Sequence, residues 1–300
     1  RTEIDKWIIS ELNSLITFVD EKYNNYDPTP AARGISDFVQ EKLSNWYVRL
    51  SRRRFWKGEY NHDKISAYQT LFECILDVAK LSCPISPFYS DFLYKCLTEN
   101  TNYEKLESIH LSSFPSKTDS HIDVNLEKRI NKIRNICSLA LSIRKKEGIK
   151  VRQPLTKIII PVRSKNEMNE IDNARGQILS EINVKNIEYL DNANSLLIKE
   201  LKPNFKTLGP RFGNKLNKIV AEINQLDPEK VNDSEDVEII VDNNKLILSK
   251  NDIEVNYKDI EGLSVASGNG VTVAINLELN DELIGEGIAR ELISRIQNIR

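Results

Sequence analysis

The sequence predicts a mainly α-helical N-terminal bundle of antiparallel helices, followed by an α+β C-terminal region with a mostly antiparallel sheet. Apolar residues recur at helical spacing through about the first hundred positions, whereas short β-rich runs alternate with helical segments after position 155. Between these regions, residues 108–120 are extended in character and rich in serine and proline. We therefore place the domain boundary near position 118, which gives domains 1–118 and 119–300.

The N-terminal domain is expected to contain helices joined by short turns, which favours an antiparallel bundle. Thr29-Pro30 marks one helix start, since threonine is a good N-cap and proline is tolerated at the first helical position. We expect that helix to continue to Gly58. The other predicted helices cover 3–23, 65–79 and 87–97. Trp7, in the first of these, and Trp46, in the helix that starts at Thr29-Pro30, fall on apolar stripes and are expected core residues.

The C-terminal region is predicted to begin with a long helix and to continue with alternating strands and helices. A helix over 125–146 ends at Gly148, a suitable C-cap. Beyond it we expect helices over 166–182, over 212–226 and after Asp281, and strands over 156–162, 184–190, 196–201, 237–241, 246–248, 253–257 and 271–279.

Charge and cysteine content narrow the function classes. The net charge of -2 gives no whole-molecule attraction to nucleic acid, but residues 126–163 hold 11 basic residues against two acids, and residues 227–261 hold 11 acids against four lysines. The four cysteines include no Cys-x-x-Cys pair, so we expect neither disulfides nor bound metal. No apolar run is long enough to cross a bilayer, and we expect a cytoplasmic protein without a membrane partner.

Catalytic chemistry is not evident in this chain. The three histidines are scattered, no Ser-His-Asp or Cys-His arrangement is indicated, and Ser267–Gly270 is interpreted as a turn and not as a phosphate-binding loop. We therefore expect the chain alone to catalyse no reaction.

One basic stretch stands out as a candidate RNA contact. Arg49, Arg52 and Arg53 lie at helical i, i+3 and i+4 positions, and with Arg54 and Lys57 they place five cations and no anion between positions 49 and 57. Uncompensated cations repel one another unless an anion such as a phosphate backbone lies against them. The alternative is a solvated face whose arginines only cover the neighbouring aromatic rings.

Several stretches resemble the anticodon-binding helical domain of class I aminoacyl-tRNA synthetases. The resemblance is carried by Asp5-Lys-Trp-Ile-Ile-Ser-Glu-Leu12, Cys83-Pro-Ile-Ser-Pro-Phe-Tyr-Ser-Asp-Phe-Leu93, Ser108-Ile-His-Leu-Ser-Ser-Phe-Pro115 and the stretch from Leu43 to Trp56. Further stretches resemble the eukaryotic-like branch of the isoleucyl-tRNA synthetase family: 148–155, 202–213 and 286–300.

The family's two ATP-binding signatures, His-Ile-Gly-His and Lys-Met-Ser-Lys-Ser, do not occur in the sequence. We therefore interpret the chain as an inactive fragment that follows the catalytic core. The resemblance implies that ATP and Mg²⁺ bind to that core and not to this fragment. The resemblance implies that the fragment binds tRNA(Ile) beside its own catalytic core, and we expect a monomer. Arg49, Arg52, Arg53 and Lys57 are then the leading RNA contacts, with Trp56 as a stacking surface.

Two further basic sets are candidate RNA contacts. One surrounds the Gly148 turn; its alternative role is to satisfy a helix C-terminus through the macrodipole. Its members are Arg144, Lys145, Lys146, Lys150 and Arg152. The other contains Lys202, Lys206 and Arg211, whose Pro-Asn-Phe and Leu-Gly-Pro setting suits packing as readily as RNA binding.

Two alternatives to this interpretation stay open. The first is the anticodon domain of a valyl- or leucyl-tRNA synthetase, because those enzymes share the helical bundle. The second is a noncatalytic assembly module that docks onto a protein and touches no RNA.

Overall fold

A computed structural model describes residues 1–56, 59–101, 103, 106–191, 197–226, 236–241, 244–249, 251–260 and 262–299. The chain divides into two compact units, Arg1–Lys132 and Ile133–Arg300. This division lies farther along the chain than the predicted boundary near position 118. The reason is that residues between 118 and 132 bond to the first helix. The Glu127 carboxylate accepts hydrogen bonds from the hydroxyls of Ser10 and Ser14 in that helix.

The N-terminal unit is a helical bundle, as the sequence predicts. Its long first helix packs against the segments that follow it, and Trp7, Leu12 and Val19 are fully buried on its inner face. Trp46 is buried as well. The elements are α1 (Glu3–Asn24), α2 (Pro28–Asp37), a π-helical segment (Phe38–Val48), α3 (Arg52–Trp56), α4 (His62–Ser82), α5 (Pro87–Thr98) and the first turns of α6 (Val124–Lys146).

The expected continuous helix from Thr29 to Gly58 is wrong in two respects. The helix begins two residues earlier than predicted, with Asp27 at the N-cap position in place of Thr29 and Pro28 as the first helical residue. It then widens into the π-helical segment, and α3 is separate because the chain turns at Ser51. The predicted apolar face of the third helix is also only partly buried, since Ile65 and Tyr68 are 42% and 45% exposed.

The C-terminal unit is α+β, which confirms the predicted fold class. One sheet has the strand order β2-β1-β8-β7, in which β1 and β2 are parallel and the other pairs are antiparallel. Asn269 and Gly270 have positive φ between β7 and β8, so Ser267–Gly270 is a tight turn as expected. The strands are β1 (Leu155–Pro161), β2 (Val184–Leu190), β3 (Leu197–Pro203), β4 (Val237–Val241), β5 (Asn244–Leu248), β6 (Ile253–Asp259), β7 (Leu263–Gly268) and β8 (Val271–Asn276).

Two antiparallel pairs, β3 with β6 and β4 with β5, lie outside this sheet. Leu201, Ile239 and Ile253 from these strands share an apolar cluster with Leu208 and Ile223. The predicted helix between β1 and β2 is split in two. The predicted helix over 212–226 is present but begins later, at Leu216, and a separate helix over Phe205–Phe212 was not predicted. The helices are α7 (Lys165–Asp172), α8 (Arg175–Ile182), α9 (Phe205–Phe212), α10 (Leu216–Gln225) and α11 (Asp281–Ile299).

A buried polar network ties the N-terminal unit together around Asp5 of α1. The Arg54 guanidinium donates to both carboxylate oxygens of Asp5, at 2.7 and 2.8 Å, and the Tyr47 hydroxyl donates to the same carboxylate at 2.8 Å. Arg54 also donates to the Asp63 carboxylate at the start of α4, at 2.8 and 3.0 Å. One arginine therefore joins α1, α3 and α4.

These hydrogen bonds control the protonation of Asp5. Burial alone would raise the pKa of its carboxyl group, but the donors from Arg54, Thr2 and Tyr47 outweigh burial and lower the pKa to about 2. The pKa of Tyr47 is raised, first by burial and then by the charge of Asp5. Asp5 is therefore ionised and Tyr47 is neutral at pH 7.

We predict that Asp5→Asn lowers the free energy of unfolding of the N-terminal unit by about 2–4 kcal/mol at pH 7. The pKa of Asp5 is lower in the folded state, so its contribution is complete above about pH 4 and is lost as the pH falls through about 2. Urea titrations followed by tryptophan fluorescence measure this, because Trp7, Trp46 and Trp56 all lie in that unit.

The matched control is Asp20→Asn on the same helix, where the carboxylate is exposed. The control should stay within about 0.5 kcal/mol of the parent protein. Equal stabilities for the two variants at pH 7 would contradict a structural role for the Asp5 network.

Candidate nucleic-acid interface

The short helix α3 presents two arginines and a tryptophan to solvent. At 100° per residue, Arg52, Trp56 and Arg53 fall within one arc of about 100°, and residues 54 and 55 fall on the opposite side. Trp56 is 82% exposed, and both arginines are exposed. Neither Arg52 nor Arg53 forms a hydrogen bond or ion pair within the described part of the chain. This arrangement leaves two uncompensated cations around an accessible indole ring.

The opposite side of α3 is anchored in the bundle. Arg54 binds Asp5 and Asp63, and the Phe55 ring packs edge-on against Tyr68, with centroids 5.3 Å apart. The Tyr68 hydroxyl donates to the Phe55 carbonyl at 3.2 Å. The expectation of five uncompensated cations is therefore wrong for Arg54, because its charge is neutralised by two carboxylates.

The remaining members of this basic stretch are Arg49 and Lys57. Arg49 is exposed, and its guanidinium carbon lies 5.9 Å from the centroid of the Trp46 ring, as the ring-covering alternative anticipates. Lys57 lies outside the described residues. Tyr60 is 81% exposed, and the Lys64 ammonium group lies 4.8 Å from the centroid of its ring. Tyr60 was not predicted as a contact residue, and its position shortly after the run of cations is the sequence feature that could have identified it.

Arg144 is not a surface residue, contrary to its selection as an RNA contact. Its side chain is buried and donates to the carbonyl oxygens of Lys150, Gln153 and Asn183 at 3.2, 2.8 and 2.8 Å. Burial lowers the pKa of its guanidinium group to about 10, so the group stays charged at neutral pH. Arg144 therefore holds the chain beyond α6 in place.

The rest of the Gly148 set is exposed but partly neutralised. Glu291 of α11 pairs with Arg152 at 3.2 Å and with Lys150 at 3.5 Å, and its pKa is lowered by these partners, Arg152 first. The Lys146 ammonium lies 3.7 Å from Glu147. Lys145 is exposed, and its side chain forms no hydrogen bond or ion pair with any described residue.

The third basic set is built around a helix start. Asn204 is the N-cap of α9, and its side chain accepts a hydrogen bond from the Lys206 backbone N–H at 3.1 Å. Arg211 pairs with the buried Asp252, and its guanidinium lies 5.0 Å from the Phe212 ring centroid. Lys202 and Lys206 are exposed. The Lys-Pro-Asn-Phe stretch therefore has an evident structural role in starting α9.

Asp252 is held as a carboxylate inside this third set. Burial alone would raise the pKa of its carboxyl group, but hydrogen bonds from Ser249, Thr207 and Arg211 outweigh burial and lower it. Arg211 is thus the partner of a buried charge and not an uncompensated cation.

Neither a metal cluster nor a membrane-spanning helix is found in the part of the chain that the structure describes. Among the described residues, no cluster of three or more His, Cys, Asp or Glu side chains is arranged to hold a metal ion. Within the same residues, no helix is both long and apolar enough to cross a membrane.

The helical bundle and the basic face of α3 lie within a region of the chain that matches a family of tRNA ligase domains. The family described as "Anticodon-binding domain of tRNA ligase" matches residues 5–160, and the chain belongs to that family. The match includes the α3 surface and the Gly148 set but ends before the Lys202 set.

Similarity extends over the whole chain to one kind of enzyme. The chain is 45% identical to the isoleucine–tRNA ligase of Cytophaga hutchinsonii and 46% identical to that of Bacteroides thetaiotaomicron, covering 100% of this chain in both alignments. It is 36% identical to the isoleucine–tRNA ligase of Clostridium tetani over 99% of the chain. The chain spans 26–28% of the length of these relatives. The resemblance to isoleucyl-tRNA synthetases is confirmed.

We predict that Arg144→Ala destabilises the C-terminal unit by about 2–4 kcal/mol, because a fully buried side chain is removed and three carbonyl oxygens each lose a charge-assisted hydrogen bond. Hydrogen exchange followed by mass spectrometry should show faster exchange in peptides covering 148–160 and 183–190. Lys145→Ala, one residue away and exposed, is the matched control and should leave exchange unchanged. Equal exchange in both variants would mean that Arg144 is dispensable for the fold.

Proposed function

We propose that this chain is the tRNA-holding part of an isoleucine–tRNA ligase and that it binds tRNA(Ile) in the anticodon region. The observation that carries the proposal is the α3 surface, where the side chains of Arg52 and Arg53 have no partner among the described residues and flank the exposed Trp56 inside the family-matched region. The isoleucine–tRNA ligase relatives favour this assignment over the valine and leucine enzymes.

The chemistry of the α3 surface suits RNA better than a protein partner. Guanidinium groups bind phosphate oxygens through charge-assisted hydrogen bonds, and phosphate contacts fix the position of a nucleic acid without reading its sequence. An exposed indole offers a flat face on which an unstacked base of a single-stranded loop can lie. Anchoring by Arg54 and Phe55 keeps these groups in place before the RNA arrives.

Basic residues outside the α3 surface are proposed as additional phosphate contacts. Lys145 and Lys146 are candidates for a second phosphate contact, with Lys150 and Arg152 available only in competition with Glu291. Arg49, Lys57, Lys202 and Lys206 remain predicted RNA contacts.

In the intact ligase, we assign activation of isoleucine, with its ATP and Mg²⁺, to regions outside this chain. The proposed partners are tRNA(Ile) and that catalytic core, and the proposed setting is a cytoplasmic monomer. Nothing in the chemistry of the described residues suggests an activity of the chain by itself.

We predict that Arg52→Ala and Arg53→Ala together weaken binding to a tRNA(Ile) transcript and flatten its salt dependence. Each lost phosphate contact reduces the slope of log K against log salt by about 0.7–0.9, so the double variant should lose about 1.5. Filter binding or fluorescence anisotropy between 50 and 200 mM salt measures the slope.

Arg33→Ala is the control for this experiment, since Arg33 is an exposed arginine on α2 outside the α3 surface. The control should keep the parent slope. If the double variant keeps it too, Arg52 and Arg53 do not contact phosphates, and the assembly-module alternative gains support.

We predict that RNA binding quenches the fluorescence of Trp56, because a stacked base deactivates the excited indole. Trp7 and Trp46 are buried and should not respond, so Trp56→Phe should remove the RNA-dependent change while keeping an aromatic face. Trp56→Ala should weaken binding by about 1–3 kcal/mol. Unchanged affinity in Trp56→Ala would show that the indole does not stack on RNA.

A further inference from the structure

A second recess in the N-terminal unit has a chemistry unlike that of the α3 surface. It is an open cleft of about 730 Å³, a volume typical of small-ligand sites. Its walls come from α4, from the chain after α5 and from the residue before α1. They include the rings of Tyr68, Phe72 and Tyr103 and the carboxylates of Glu73 and Asp77.

The two carboxylates lie on the same face of α4. Glu73 and Asp77 are four residues apart, which places their side chains one helical turn from each other. Glu73 already accepts a charge-assisted hydrogen bond from the Arg1 guanidinium. Asp77 is half-buried and has no hydrogen bond or ion pair with a described residue. The cleft thus holds one carboxylate that binds a guanidinium and one that feels the charge of Lys80 but forms no ion pair with a described residue.

Aromatic rings complete the cleft. Phe72 and Tyr103 meet edge to face with centroids 5.9 Å apart. The Lys80 ammonium, the nearest basic group after Asp77 in sequence, is held at Tyr103 instead, 3.2 Å from its hydroxyl and 5.7 Å from the ring centroid. Rings next to carboxylates are the surroundings that favour an organic cation, since the π-face and the negative charge both attract it.

We propose that this cleft is a binding site for an organic cation, namely a guanidinium or alkylammonium group placed between Asp77 and the aromatic rings. An anionic ligand such as RNA phosphate would be repelled by Glu73 and Asp77, so the site is distinct from the α3 surface. The cation is either a free small molecule or a basic side chain of a polypeptide segment, and the experiment below separates these sources.

The protonation of Asp77 makes the proposal sensitive to pH. The pKa of Asp77 is raised to about 6, chiefly by burial, which outweighs the lowering effect of the Lys80 charge and is aided by the charge of Glu73. Arg1, Tyr68 and Tyr103 are the other ionisable groups that line the cleft. Because a cation binds the ionised carboxylate, affinity should fall as the pH drops below 6.

The test is isothermal titration calorimetry of the protein with agmatine, which carries a guanidinium and an ammonium group, at constant ionic strength. We expect binding at pH 7.5 that weakens about tenfold at pH 5. Asp77→Asn should lose most of the affinity and the pH dependence, whereas Asp20→Asn should bind like the parent protein. Arg1→Ala should strengthen binding, because it frees Glu73.

A parallel titration uses the tripeptide acetyl-Leu-Arg-Leu-amide. Tighter binding of the tripeptide than of agmatine supports a polypeptide segment as the ligand, and tighter binding of agmatine supports a free cation. The proposal is overturned if neither compound binds at millimolar concentration at pH 7.5, or if Asp77→Asn binds both as well as the parent protein.

Discussion

The bidentate ion pair between Arg54 and Asp5 is the interaction on which the N-terminal unit and its α3 surface depend. Asp5 is fully buried, and a buried carboxylate is tolerated only when its charge is matched and its oxygens accept hydrogen bonds. Arg54, Tyr47 and Thr2 supply those bonds. Because the guanidinium must face inward to reach Asp5, the rotation of α3 about its axis is fixed, and the outward direction of the neighbouring residues follows.

The same constraint separates three adjacent arginines into two roles. Arg54 neutralises buried charge, whereas Arg52 and Arg53 keep their charge available to a ligand. A basic surface that is rigid before binding loses less conformational entropy when RNA docks. The stability of the bundle and the affinity of its surface are therefore linked through one side chain.

Much of the fold could be predicted from sequence because its signals are local. Apolar spacing located α1, α5 and α6 and the buried Trp7 and Trp46, and β-rich runs located β1 and β2. Residue types alone also drew attention to the cations of α3.

What could not be predicted depends on contacts distant in sequence. Nothing near Arg54 distinguishes it from Arg52, since its partner Asp5 lies 49 positions earlier. Arg144 likewise belongs to a run of cations, yet it is buried because carbonyls as far away as Asn183 require a donor. The π-helical widening after Phe38 has no signature in the apolar pattern, so the predicted helix was too long.

The proposed recognition of the anticodon region of tRNA(Ile) by this chain is tested by comparing its equilibrium affinities for two matched transcripts. The chain would be titrated with a tRNA(Ile) transcript and with the same transcript carrying a replaced anticodon, each at low and at physiological salt. Our account predicts tighter binding to the native anticodon at both salt concentrations. Equal affinity for the two transcripts, or no binding to either, would contradict it.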